Sequence, residues 1–336
     1  MGSAYIKAIS YYLPENILSN DKLSEQFPEW SVEKISAKIG ISSRRVVSED
    51  ECSSDLAYNA AIKLFEDNNI NPNEIDFVLL CTQSPDYFLP TTACLLQDRL
   101  GIPTSAGALD FNLGCSGFVY GLSLAKGLIL AGDIKNVLLI MAETYSKFIH
   151  PEDKSLKSIF GDAASATLVS ASEEDLIGPF VFGTDGKGAK NLIVEYGGMR
   201  NRNVNDAKDE VNPETGAITN KAFLSMNGPE IFNFSNKEVP KSVENLLAKA
   251  QITIEDVDVF IFHQANKYML EHLRKKMKVP VEKFYIFMEH CGNTVSSTIP
   301  IALSEAIKDG TVRKGSKVCL VGFGVGYSWG ACLVQF

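Results

Sequence analysis

Three residues far apart in the chain carry the side chains best suited to chemistry: Cys115, His263 and Asn293. Cys115 lies in DFNLGCSGFVYGLSLAKGLI, at the mouth of an apolar stripe that reads as a helix. A thiol is a strong nucleophile only as the thiolate. The N–H groups and dipole at a helix start favour that form, so the position predicts a lowered thiol pKa. Gly114 and Gly117 keep the surroundings small enough for a carbonyl to approach. A small buried cysteine at a tight turn would read the same way. His263 directly follows the apolar run VDVFIF, and the C-terminal end of such a strand is where α/β folds expose functional groups. It could equally satisfy a local carbonyl or cap the helix that opens near Gln264-Ala265-Asn266. Asn293 stands in HCGNTVSSTIPIALSEAI, where helix capping alone would explain it. Together a thiol nucleophile with room for a carbonyl, an imidazole and a carboxamide are candidates for one site.

The elements that must position these residues alternate. Ser53 to Asp67 reads as a helix with Leu56, Ala60 and Leu64 on one stripe, and Ile75 to Cys81 as a buried strand. Thr91 to Leu100 reads as a helix, Ala108 to Phe111 as a strand, Cys115 to Ala131 as a helix and Val137 to Met141 as a strand. This is the pattern of an α/β fold. The pattern also repeats. EIDFVLLCTQS resembles DVDVFIFHQAN, with Ile75 opposite Val257 at an offset of 182 residues. NVLLIMAE resembles KVCLVGFG, with Val137 opposite Val318 at 181, and Cys115 stands opposite Asn293 at 178. Ordered landmarks at nearly equal offsets predict two duplicated halves, 1–174 carrying the cysteine and 175–336 carrying the histidine and asparagine. Halves packed about a pseudo-twofold would bring the three residues to one pocket. Gly183 to Thr219 reads as a long loop-bearing insertion. The tail GFGVGYSWGACLVQF lacks the spacing of a dinucleotide-binding loop and suits a tight turn that aims N–H groups at an oxyanion.

Composition narrows the classes. The chain has 336 residues, 45% apolar and 22% charged, as in an ordinary globular protein. A net charge of −9 disfavours wholesale nucleic-acid binding. The basic cluster Arg274, Lys275, Lys276 and Lys278 is either a solvated helix face or a dock for an acidic partner. Seven cysteines at wide spacing, with no C-x-x-C, read as thiols of a reducing cytoplasm and predict neither a disulfide framework nor a metal site. No apolar run is long enough to span a bilayer, and no secretory signal is evident at the start.

Several motifs in order carry a resemblance over almost the whole chain: Asn112-Leu113-Gly114-Cys115-Ser116-Gly117, Phe160-Gly161-Asp162-Ala163, Met226-Asn227-Gly228-Pro229-Glu230, His263-Gln264-Ala265-Asn266, Gly292-Asn293-Thr294 and Tyr327-Ser328-Trp329-Gly330. Together they resemble β-ketoacyl-acyl-carrier-protein synthase III, of the thiolase superfamily. The resemblance implies a five-layered αβαβα thiolase-like fold, a homodimer and a two-stage reaction. Cys115 would accept an acyl group from acyl-CoA. Malonyl-acyl carrier protein would then lose CO₂, and its carbanion would attack the thioester to give a 3-oxoacyl product. His263 and Asn293 would hold the enolate oxygen, and the N–H groups of Cys115 and Val325 the other oxyanion. No resident cofactor is implied. For CoA, Trp30, Lys38, Lys154, Asn227 and Asn266 match contact positions, although Lys38 and Lys154 replace arginines. Tyr268 stands where the family docks its carrier protein through an arginine, and Leu89 where the dimer partner closes the acyl pocket. These departures leave open a specialised pathway. They also leave open a same-fold acyltransferase acting on an alcohol or amine, or a non-catalytic acyl-binding subunit.

Overall fold

The computed structural model describes residues 3–29, 31, 32, 36, 39–211 and 218–336. Its core strands are β1 (Ser3–Tyr12), β2 (Phe77–Cys81), β3 (Gly107–Phe111), β4 (Asn136–Glu143), β5 (Ala163–Ser172), β6 (Ile177–Thr184), β7 (Val259–Phe262), β8 (Phe284–Tyr285), β9 (Lys317–Gly324) and β10 (Ser328–Gln335). The helices that cover them are α1 (Ser53–Asn68), α2 (Thr92–Arg99), α3 (Gly117–Leu130), α4 (Gly228–Ala250), α5 (Lys267–Lys276) and α6 (Thr298–Lys308). Each lies within a few residues of its expected place where the sequence made one explicit.

Two five-stranded sheets share one topology. The first runs β3-β2-β4-β5-β1 and the second β8-β7-β9-β10-β6. In both, the first three strands are parallel and the last two pairings antiparallel. The repeat read from the sequence is therefore a repeat of topology.

Burial on both faces fixes the layers. In β2, Leu79 points to one side and Val78 and Leu80 to the other, and all three are buried. Leu79 packs with Phe118, Leu122 and Ile129 of α3, Ile299 and Leu303 of α6, and Ile261 and Leu320 of the second sheet. Val78 and Leu80 pack with Leu56 and Leu64 of α1 and Leu96 of α2. Phe260 and Phe262 point outward against Val243 and Leu246 of α4 and Leu270 and Leu273 of α5. The order is thus helices, sheet, the α3–α6 pair, sheet, helices: the expected αβαβα arrangement. Each fully buried leucine or phenylalanine contributes roughly 1.5–3 kcal/mol. α3 is apolar nearly all round because sheets lie on both of its sides. At Gly121 an added Cβ would meet Leu139 Cδ1 at 2.7 Å, so the glycine lets α3 sit close on the first sheet.

Strand ends converge on one side of the molecule. β3 leads to Cys115, β2 to Gln83, β4 to Tyr145, β7 to His263 and β9 to Val325. A parallel bridge between Phe160 and Asn293 stitches the two sequence halves together beside them, with Asn293 N–H donating to the Ile159 carbonyl at 2.9 Å.

Candidate active site

Cys115, Phe160, His263, Asn266, Asn293 and Gly324 line one pocket of roughly 560 Å³, counting its open mouth. Leu192, Met226, Ile231 and Met269 supply apolar walls. The three residues singled out by type and spacing are therefore together.

Cys115 precedes the helix instead of opening it: Ser116 is the N-cap of α3. Only 5% of its surface is exposed. The expected lowering of its thiol pKa is overturned. Burial, with Glu143 adding to it, pushes the thiol up to about 12, while its own N–H and that of Val325 pull the other way. Desolvation of a thiolate in an apolar wall outweighs two N–H dipoles. The glycines of the tail have a steric reason. A Cβ at Gly324 would lie 2.9 Å from both Cβ and Sγ of Cys115, and one at Gly322 2.7 Å from the Ser116 Cα. The end of β9 can pass Cys115 only without side chains there, and that passage brings the Val325 N–H to the sulfur.

His263 is buried and held neutral. Burial drops its pKa to about 3, against the raising effect of the Val295 carbonyl. Its Nδ1 lies 2.7 Å from the Thr298 hydroxyl, so Nε2 is the nitrogen left for the pocket. The Thr298 hydroxyl donates to the Val295 carbonyl at 3.0 Å, and the direction of its contact with Nδ1 depends on the imidazole tautomer. The Nε2–H tautomer, which makes Nε2 a donor toward the pocket, needs the Thr298 proton turned from Val295 to Nδ1.

Asn293 does not cap α6, whose N-cap is Ser297. Its Oδ1 accepts the Val295 N–H at 2.9 Å. The carboxamide NH₂ is thereby the end turned to the pocket. That turn puts Val295 at φ +56°, a left-handed conformation that a β-branched residue adopts only under strong constraint, here with no exposed surface.

The proposed CoA contacts divide. Asn266 lines the pocket, and its Oδ1 caps α5 by accepting the Met269 N–H at 2.9 Å, so its NH₂ is again the available end. Asn227 is exposed between the lining residues Met226 and Gly228 and caps α4 through the Glu230 N–H. Lys154 lies outside the pocket lining and pairs with Glu29 at 2.6 Å. Trp30 and Lys38 lie outside the described residues. In the basic cluster, Arg274 is engaged by Glu271 and Lys276 by Asn236.

Two residues beside the site escaped sequence reasoning. Glu143 is fully buried and takes hydrogen bonds from the Gln83 N–H at 3.1 Å, Ser84 Oγ at 3.2 Å and Ser296 Oγ at 3.1 Å. Burial still pushes it up to about 8, so it is largely protonated at neutral pH. A charge ending the apolar run NVLLIMAE was the available signal. Thr298 gave none, since a hydroxyl at a helix start is ordinary. Among the described residues no acidic, histidine or cysteine group is arranged to hold a metal, and no helix is long and apolar enough to cross a membrane.

Comparison with known proteins agrees with this geometry. Residues 109–186 match the family 3-oxoacyl-[acyl-carrier-protein (ACP)] synthase III, and residues 247–336 match its C-terminal part. The β-ketoacyl-[acyl-carrier-protein] synthase III of Clostridium perfringens is 38% identical, over 100% of both chains. A crystal structure of a 3-oxoacyl-(acyl-carrier-protein) synthase III superposes with a TM-score of 0.97 at 54% identity, covering 99% of this chain and 100% of that one. The synthase III of Thermus thermophilus superposes at 0.87 with 34% identity, covering 99% of each chain.

Proposed function

Because the chain belongs to the β-ketoacyl-[acyl-carrier-protein] synthase III family of acyl-transferring condensing enzymes, we propose that Cys115, His263 and Asn293 divide one condensation cycle between them. In the first stage the Cys115 sulfur attacks the carbonyl of an acyl-CoA. A bond forms between the Cys115 sulfur and the acyl carbon, the bond between that carbon and the CoA sulfur breaks, and the thiol proton leaves on the CoA sulfur. The N–H groups of Cys115 and Val325 hold the oxyanion. A thiol kept protonated by burial is quiet until a substrate arrives to take its proton.

In the second stage malonyl-acyl carrier protein enters the same mouth. Its carboxylate leaves as CO₂, and the electron pair of the broken carbon–carbon bond moves onto the thioester oxygen as an enolate. His263 Nε2–H and Asn293 Nδ2–H donate to that oxygen. Each such donor in a dry site typically contributes roughly 3 kcal/mol. The carbanion attacks the Cys115 thioester, the sulfur leaves as thiolate and takes a proton from solvent, and a 3-oxoacyl product departs on the carrier. Both donors are neutral, so neither is drawn into an ion pair with the malonyl carboxylate.

One observation carries this assignment: sulfur, a neutral imidazole and an inward-turned carboxamide line a single apolar pocket. Asn266, Asn227 and Lys154 are proposed for the CoA arm and nucleotide, with Trp30 and Lys38 beyond the described residues. The reading includes a cytoplasmic homodimer without a resident cofactor. Seven unpaired thiols support the compartment, and the exposed run Tyr87-Phe88-Leu89, with Leu89 81% exposed, supports a partner surface. The test is intact-protein mass spectrometry. Acetyl-CoA adds one acyl mass to the wild type and none to Cys115→Ala, and malonyl-carrier protein then discharges the label with release of CO₂. Labelling that persists in Cys115→Ala, or discharge without CO₂, rejects the assignment.

A further inference from the structure

A second cavity adjoins the first. It measures roughly 440 Å³, counting its open mouth, and shares the Leu192 wall with the pocket that holds Cys115. It comes within one residue of the nucleophile. A Cβ at Gly114 would lie 2.5 Å from Gln83 Oε1 and 2.8 Å from Val325 Cγ1, and both of those residues line the second cavity. Cys115 itself lines the first cavity, while Val325, whose N–H faces the sulfur, turns its side chain to the second. His263 and Asn293 face only the first cavity.

The second cavity has an unusual lining for a hydrocarbon. Phe148, Val194 and Leu224 are apolar, but Gln83, Asn112 and Tyr145 form a chain of hydrogen bonds. Tyr145 Oη donates to Gln83 Oε1 at 2.7 Å, and Gln83 Nε2 donates to Asn112 Oδ1 at 3.1 Å. The Gln83 backbone N–H is tied to Glu143, which fixes this residue in place. Those bonds use one of the two Gln83 Nε2 hydrogens and leave the Tyr145 oxygen able to accept. A saturated tail would cover these groups and give nothing back. A tail bearing an oxygen would satisfy them.

The acyl chain that the proposed function places on Cys115 has this cavity beside it, and we propose that Gln83 and Tyr145 there select a short chain bearing a hydroxyl or keto oxygen over an unsubstituted chain of equal length. This rests on the acyl-carrying role of Cys115. It leaves the first cavity free for the malonyl thioester, as two substrates in sequence require.

The experiment is a competition read by intact mass: equal 3-hydroxybutyryl-CoA and butyryl-CoA offered to the full-length enzyme, with acetyl-CoA as a separate reference. The wild type is expected to take the hydroxylated acyl about tenfold faster, the scale of one hydrogen bond made or lost. Gln83→Leu and Tyr145→Phe are each expected to move that ratio toward one. The ratio is internal to each preparation, so partial unfolding of a variant does not mimic the result. Labelling by acetyl-CoA with a wild-type ratio at or below one, or a ratio that neither variant changes, overturns the selectivity alone. No labelling by any of the three overturns the acyl-carrying role beneath it.

Discussion

In the proposed cycle His263 presents an N–H to the pocket, and a neutral imidazole has only one to give. The group that meets Nδ1 is the Thr298 hydroxyl at 2.7 Å, and an Nε2–H tautomer needs it to donate there. Thr298→Val removes the group that can donate to Nδ1 while keeping the shape. Acylation of Cys115 is expected within about twofold of wild type, because that step uses the other oxyanion site. Condensation is expected to fall by about tenfold or more, the scale of a weakened oxyanion donor. Thr298→Ser should restore it. Stopped-flow acylation and CO₂ release measure the two steps separately, and an equal loss in both would refute a tautomer-setting role. At Cys115 itself, burial and not the helix start governs the thiol. The sequence shows which residue precedes a helix, whereas desolvation depends on what the rest of the chain lays over it.

At the scale of elements, the close passage of β9 over the nucleophile depends on Gly324. In Gly324→Ala the new methyl would sit 2.9 Å from the Cys115 Sγ, so strand or nucleophile must move. Acyl-CoA labelling is expected to fall by more than about tenfold, and stability by roughly 1–3 kcal/mol. Gly127→Ala is the contrasting case: nothing lies within 4 Å of the new Cβ on α3. That change is expected to stabilise by about 1 kcal/mol and to leave labelling intact. Thermal unfolding and mass labelling of the pair distinguish a steric role at Gly324 from general sensitivity to losing a glycine. The elements themselves were legible. Buried β-runs such as FVLLC and VFIF and the stripe of α1 announce themselves, because periodicity and burial are local properties of the chain.

On the scale of the molecule, Glu143 joins the halves, taking hydrogen bonds from Gln83 and Ser84 on one side and Ser296 on the other. Its folded pKa, about 8, stands above the ordinary carboxyl value of 4.5, so the folded state holds a proton that the unfolded chain releases between those limits. Its contribution to stability is whole below about pH 4.5 and is lost as pH rises through 8. Glu143→Gln is expected to flatten that decline in urea midpoints measured from pH 5 to 8, and an unchanged slope would show that another group causes it. By itself the sequence determined the alternation of elements and the duplication, and singled out Cys115, His263 and Asn293 as candidates, since residue type, period and repeat are written along one dimension. The tertiary structure decided the thiol's protonation, the inward end of the Asn293 carboxamide, the Thr298 contact and the polar second cavity. Desolvation and hydrogen-bond direction are set by the three-dimensional surroundings of each group, and only folding brings those surroundings together.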